Sequence, residues 1–208
     1  MKSILIAADL LSSASHAFSE AVNFDADAIG QPPTGWTCGA TGRGRPHWTV
    51  EADTSAPSGK NVLKQSGSAN FPWCVKDTIA IADGMVEVKF KPVAGREDQA
   101  GGVVWRWKDG ENYYVARANA LENNVSLYHT TNGSRKTIEY HDAPVAPDVW
   151  HTLRVDFNGS AIQVALDGKI YISTQDNYIS GPGKAGVWTK ADSVTLFDDF
   201  SCATGSSQ

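Results

Sequence analysis

Four dipeptides in the second half of the chain do most to limit its fold: Asp109-Gly110, Asn132-Gly133, Asn158-Gly159 and Asp167-Gly168. Asn-Gly and Asp-Gly accept the positive φ angles of tight primed turns, and strand-like runs flank each one. Those runs are "GGVVWRW", "NYYVARA", "VSLYHT", "KTIEYH", "HTLRVDF", "AIQVAL" and "KIYIST", rich in Val, Ile, Thr and aromatics. Several alternate in polarity, as half-buried strands do. Upstream "HWTVEA", "NVLKQS" and "GMVEVKFKP", and "SVTLFDDF" at the end, read the same way. No amphipathic helix pattern follows residue 22, and no solenoid-type repeat is visible. The expectation is an all-β protein, a dozen or more antiparallel strands in a two-sheet β-sandwich.

A chain of 208 residues suits one such domain, and 41% hydrophobic residues suffice for its core. Lysine and arginine number 18 against 23 acids, a formal charge of −5 with no basic run, which argues against a nucleic-acid partner. No stretch has the length of apolar residues that crosses a membrane. The opening "MKSILIAADLLSSASHAFSEA" reads as an export signal over residues 1–19, cleaved after Ala17 or Ser19. Asp9 inside the apolar run speaks against it, and an N-terminal helix lying on the domain is the alternative. The folded domain is then expected over 20–202, secreted or periplasmic and monomeric, with 203–208 a flexible tail. Residues 25–47 read as one long Gly/Pro-rich loop, and 92–99, "PVAGREDQ", as a short charged one. Cys38 and Cys74 could pair in an oxidising compartment, leaving Cys202 over, or remain free; their spacing matches no zinc pattern.

The hairpin "WRWKDGENYYVARANALENN", residues 105–124, carries more polar function than a plain hairpin needs. Side chains two apart share a face. Trp105, Tyr114, Ala116 and Ala118 would therefore pack inward, leaving Arg106, Arg117 and Asn119 on the outer face, with Glu122 following at once. Arginine forks and amides suit sugar hydroxyls or carboxylates. The plainer alternative is a solvated face of cross-strand pairs. A second cluster, "WTKADSV" at 188–194, offers Lys190, Asp192 and Ser193, which the fold could bring beside Arg117 and Asn119. His151 on "WHTLRV" reads as a satisfied sheet residue, and the other histidines show no ligand spacing.

The opening "FDADAIGQPPTGW", the middle "DQAGGVVWRWKDGENYYVARANALENN" and the ending "GVWTKADSVTLFDDF" resemble bacterial concanavalin A-like jelly rolls over residues 22–202. More narrowly, the chain looks like their laminin G-like, 3-keto-disaccharide hydrolase-like group. The resemblance implies a curved sandwich whose concave face binds an oligo- or polysaccharide; it fixes no reaction. Laminarinase-type relatives carry Glu-x-Asp-x-x-Glu on one strand, and this chain has no such run. Three readings stay open, one of them a structural or adhesion domain without a sugar site. In a glycoside hydrolase-like or lyase-like enzyme, Glu122 and Asp192 would be the acid and base. Arg106, Arg117, Asn119 and Lys190 would position the sugar. In a lectin-like module the same residues would only bind. The resemblance also places "NFDAD" beside "LFDDF", so that Asp25 and Asp198 could hold a structural Ca²⁺, with Asp27 and Asp199 in reserve.

Overall fold

A computed structural model describes residues 18–205 and contains no helix among them. The stretch read as an export signal therefore lies outside the described residues, apart from Phe18 and Ser19. Fifteen strands follow one another: β1 Ser19–Val22, β2 Trp36–Arg45, β3 Trp48–Ala52, β4 Asn61–Gln65, β5 Ser68–Lys76, β6 Gly84–Ala94, β7 Ala100–Asp109 and β8 Asn112–Asn119, then β9 Asn124–Thr131, β10 Ser134–Asp142, β11 His151–Asn158, β12 Ala161–Leu166, β13 Lys169–Gln175, β14 Lys184–Trp188 and β15 Val194–Thr204. Every recorded pairing is antiparallel. One sheet runs β13-β12-β11-β6-β15-β4-β3, with β1 also on β15; the other runs β10-β9-β8-β7-β14-β5-β2. The two-sheet sandwich expected from the turn signals is the fold.

The four turn dipeptides all reverse the chain, in different ways. Asn132-Gly133 and Asp167-Gly168 have both residues at positive φ, the primed geometry; at 158–159 only the glycine does. The stretch 25–47 is not one loop, because the ten residues of β2 occupy much of its second half. At the far end β15 runs on through Ala203 and Thr204, two residues into the expected tail. There Phe18 donates its backbone N–H to Thr204 Oγ1, and its ring packs on the core.

The main core lies between the sheets. Trp105, Tyr114, Ala116 and Ala118 face inward from β7 and β8, against Val86, Val88 and Phe90 of β6 and Phe157 of β11. Trp105 stacks on Tyr114 at 5.3 Å and on Phe157 at 5.8 Å. A second apolar cluster covers the other face of the β10–β2 sheet: Trp73, Val75, Val104, Tyr113, Val115, Tyr128 and Trp188. All are buried although they face away from the main core, because the sheet curls over them. The guanidinium of Arg135 on β10 stands 4.6 Å from the ring of Phe71 on β5. A flat sheet would hold those strands about 24 Å apart at the usual spacing. This face is the concave one.

Arg106 does not stand on it. The β7–β8 register shifts between Trp105 and Asp109, and Arg106 takes a φ of 46°. That bulge reverses the alternation. Trp107, which a regular strand would turn the same way as Trp105, joins the concave cluster, and Arg106 turns to the end of the sandwich. There it donates to the carbonyls of Ala82, Ile179 and Gly159 and to Asp83 Oδ1, at 2.7–3.1 Å. It clamps the ends of the two sheets together.

Cys38 and Cys74 face each other across β2 and β5 and are disulfide-bonded; Cys202 is free and buried.

Two outcomes are expected. Arg106→Met should cost about 2–5 kcal/mol by urea unfolding, since three carbonyls and Asp83 lose their donor; a melt like the parent's would return Arg106 to an ordinary surface role. Reduction of the disulfide releases a closure spanning 36 residues, worth about 4 kcal/mol in chain entropy. Melting with and without reductant should therefore differ by roughly 8–15 °C.

Candidate functional site

On β8 the alternation is undisturbed, so Tyr113, Val115, Arg117 and Asn119 share the concave face. Three connections close over that end of the strand. The β6–β7 loop brings Asp98, the β8–β9 turn brings Glu122, and the β14–β15 loop brings Lys190 and Asp192. Arg117 is 3% exposed and holds two carboxylates at once: Asp98 Oδ1 at 2.9 Å and Glu122 Oε2 at 2.6 Å. Its Nε also reaches the Tyr128 hydroxyl at 3.3 Å. Asp98 accepts in addition from Asn119 Nδ2 at 2.7 Å and pairs with Lys190 Nζ at 2.8 Å.

Asp98 was not singled out in the sequence, where "GREDQ" reads as solvated charge. It is nevertheless the hub, 1% exposed. A carboxylate buried so deeply needs several donors to offset its lost hydration, and Arg117, Asn119 and Lys190 supply them.

Asp192 is engaged by the backbone. Its two oxygens accept the backbone N–H groups of Arg96, Glu97 and Asp98 at 2.7–3.2 Å. Burial works against ionisation, but the three amides outweigh it and hold the carboxyl below its usual range. Asp192 thus fixes the turn that carries Asp98. Gly95 in that turn sits at φ 148°, where a Cβ would lie 1.8 Å from the Asp98 carbonyl oxygen. Ser193 likewise spends its hydroxyl on the Ala100 N–H and the Lys190 carbonyl. Asn119 is fully buried, and its Oδ1 accepts from Gln99 N and Leu121 N. It ties loops together rather than presenting an amide to a ligand.

Glu122 and Lys190 remain as the accessible members, with side chains 37% and 26% exposed. Burial alone would raise the Glu122 pKa. The Asn124 amide at 2.8 Å and the charges of Arg117 and Lys190 reverse that and hold the carboxyl below its ordinary value. The cleft floor beyond them is aromatic: Trp188, Phe71, Trp73 and Trp107. The indole N–H groups of Trp73, Trp107 and Trp188 have no hydrogen-bond partner. His151 is satisfied, as expected, between Asp167 and the Ala146 carbonyl.

The second candidate lies on the other sheet. β1 pairs with β15 through Val22 and Phe200, which brings the two aspartate segments together. Asp25 Oδ1 accepts from Lys60 N and Asn61 N, and Asp198 Oδ2 from Ser58 N. Burial first, and then the charges of Asp199 and Asp25, push the Asp198 pKa up to about 6. Asn61 Oδ1, buried beside them, has no partner. Two crowded carboxylates and an orphaned amide oxygen form an all-oxygen donor set that fits a hard cation. Among the described residues no three His, Cys, Asp or Glu side chains gather as a metal cluster, so neutral oxygens would complete the shell. Of the reserves, Asp199 pairs with Lys89 and Asp27 accepts from Thr34 N.

No family model matches the chain. A levanase of Bacillus subtilis (strain 168) is 26% identical over 168 residues, 80% of this chain. The match spans only 22% of the levanase. Among solved structures, the carbohydrate-binding module CBM66 from Bacillus subtilis superposes with a TM-score of 0.64 at 20% identity, covering 82% of this chain and 94% of that one. A β-glucanase of Bacillus licheniformis gives a TM-score of 0.60 at 15% identity, covering 90% and 98%. At such identities the structural likeness is one of fold, and that fold is the concanavalin A-like jelly roll.

Proposed function

We propose that the protein binds a saccharide in the concave cleft, against Glu122 and Lys190, and does no chemistry on it. The observation that carries this is the state of the cleft carboxylates. Splitting a glycosidic bond with two carboxyl groups needs one that keeps its proton near neutral pH. Glu122 is held ionised by Arg117, Lys190 and Asn124; Asp98 is ion-paired through both oxygens. Asp192 is committed to three backbone amides. What remains suits binding: acceptors on Glu122 and donors on Lys190, both held in place by the network behind them. The likeness to a levanase and to a carbohydrate-binding module supports the same reading and makes levan the first polysaccharide to test.

The hydrolase-like alternative would have Glu122 as nucleophile or base, with an acid supplied by the substrate or from outside the cluster. Calorimetry and reducing-end release over levan and a polysaccharide panel separate the two. Glu122→Gln keeps an acceptor for Arg117 and Asn124 but removes the charge. It should weaken binding about 10-fold or more, with no release of reducing ends by either protein. A glycan that the parent cleaves and the amide variant does not would establish the enzyme instead. Arg117→Ala is the wrong probe, because it leaves Asp98 buried and unpaired and should itself cost about 3–5 kcal/mol of stability.

We also propose that the domain works outside the cytoplasm, in keeping with the Cys38–Cys74 disulfide. There Asp25, Asp198 and Asn61 would hold a structural Ca²⁺ that neutralises the crowded carboxylates and ties β1 to β15. A cation that binds only the folded state at one hundred times its Kd adds about 2.7 kcal/mol. Chelation should therefore lower the melting midpoint by roughly 5–10 °C, with calcium restoring it. Asp198→Asn should abolish that response and leave saccharide binding intact. A midpoint indifferent to chelator and calcium alike would reduce the aspartates to turn-holding residues.

A further inference from the structure

The concave cleft holds a second arginine that the ion network does not use. Arg135 lies on β10, opposite Thr130, and its side chain reaches across the cleft. Its guanidinium carbon is 4.3 Å from the centre of the Tyr128 ring, 4.6 Å from Phe71 and 5.7 Å from Trp188. Ring faces attract a cation, but they offer its N–H groups no acceptor in the plane of the fork. Arg135 Nη1 is buried without any hydrogen-bond partner.

Arg117 provides the comparison. It stands over the same Tyr128 ring, at 5.7 Å, and its charge is met by Asp98 and Glu122. Among the described residues no carboxylate is ion-paired to Arg135. Arg117 and Lys190 are thus matched by Asp98 and Glu122, while Arg135 has no such partner. The chain as a whole carries −5. Burial foremost, and the Arg117 charge with it, push the Arg135 pKa down, against the opposing pull of Tyr128 and Asp98.

A guanidinium fork matches two oxygens of one carboxylate or sulfate group, and it does so best where water is scarce. We propose that Arg135 is the receptor for an oxyanion carried by the bound saccharide, a uronate carboxylate or a sulfate ester. The cleft would then select acidic glycans over neutral ones. This rests on the cleft being the saccharide site; a neutral fructan would engage Glu122 and Lys190 alone.

The test is calorimetry on the whole protein at low ionic strength with matched pairs. One pair is polygalacturonate and its full methyl ester, the other a sulfated galactan and its desulfated form, with levan as a neutral reference. At least one charged member should bind about 10- to 150-fold more tightly than its neutral twin. Which pair shows it identifies carboxylate or sulfate as the group held. The preference should shrink as salt is added. Arg135→Gln should erase the preference, so that the charged member binds no more tightly than its neutral twin. Arg135→Lys, which keeps the charge without the fork, should retain part of it, so that loss of fold is not mistaken for loss of the receptor. Twins bound equally well, or a preference that survives Arg135→Gln, would overturn the receptor and leave the saccharide cleft standing. Binding to no glycan, charged or neutral, would overturn both.

Discussion

Asp98 carries a negative charge into a place almost without water, and much of the cleft is arranged around that charge. An isolated buried carboxylate would cost several kcal/mol. Arg117, Lys190 and Asn119 offset it from two different segments, β8 and the β14–β15 loop. Each contributor is itself held. Asn119 Oδ1 grips backbone on either side of the strand, Asp192 caps the turn that delivers Asp98, and Glu122 takes the second fork of Arg117. The β6–β7 loop, the β8–β9 turn and the β14–β15 loop are therefore locked to one another through a single carboxylate. In the proposed binding reading, Glu122 and Lys190 would meet a ligand already oriented, so little side-chain freedom would be lost on binding.

Curling the β10–β2 sheet is what makes such a burial possible on an outward face. Trp188 and Tyr113 point away from the main core and yet are 0% exposed. Small residues make room for the large ones. A Cβ on Gly39 would lie 2.7 Å from the Trp73 ring, and one on Gly101 would lie 2.1 Å from the Phe90 ring on the inner side. The sheet thus has two apolar faces at its centre, which explains why β7, β8 and β9 are buried nearly throughout and show no clean alternation of burial.

That distinction decides how much was legible in the sequence. The turn dipeptides and β-branched runs sufficed for the sandwich, because local chemistry and strand period point the same way. On β8 the period of two placed Tyr114, Ala116 and Ala118 inward and Arg117 outward, as found. On β7 the same arithmetic failed after Trp105. Arginine gives no warning of positive φ, and the bulge at Arg106 exchanged the fates of Arg106 and Trp107. Lys190 was rightly expected near Arg117 and Asn119, though what joins them, Asp98, stayed hidden. A carboxylate in a charged loop looks solvated until the fold shows which cations converge on it. Asn61 was hidden for a similar reason: a single asparagine on a strand signals nothing until its oxygen is found without a donor.

The two candidate sites divide the sandwich between them. Asp25 and Asp198 belong to the β13–β3 sheet and its added strand, where the chain's ends meet; the cleft lies on the far face of the other sheet. Arg106 holds the sheets together at one end without touching either. Charges in the two sites are handled in opposite ways. In the cleft Asp98 and Glu122 each have a cation within hydrogen-bonding distance, and Arg135 is the cation without an ion-paired carboxylate. At the joined ends the carboxylates of Asp25 and Asp198 have only backbone amides, and the surplus is negative. Unbalanced buried charge of this kind is common at functional sites. In the readings proposed above, an oxyanion would answer the first and a hard cation the second, and neither proposal depends on the other.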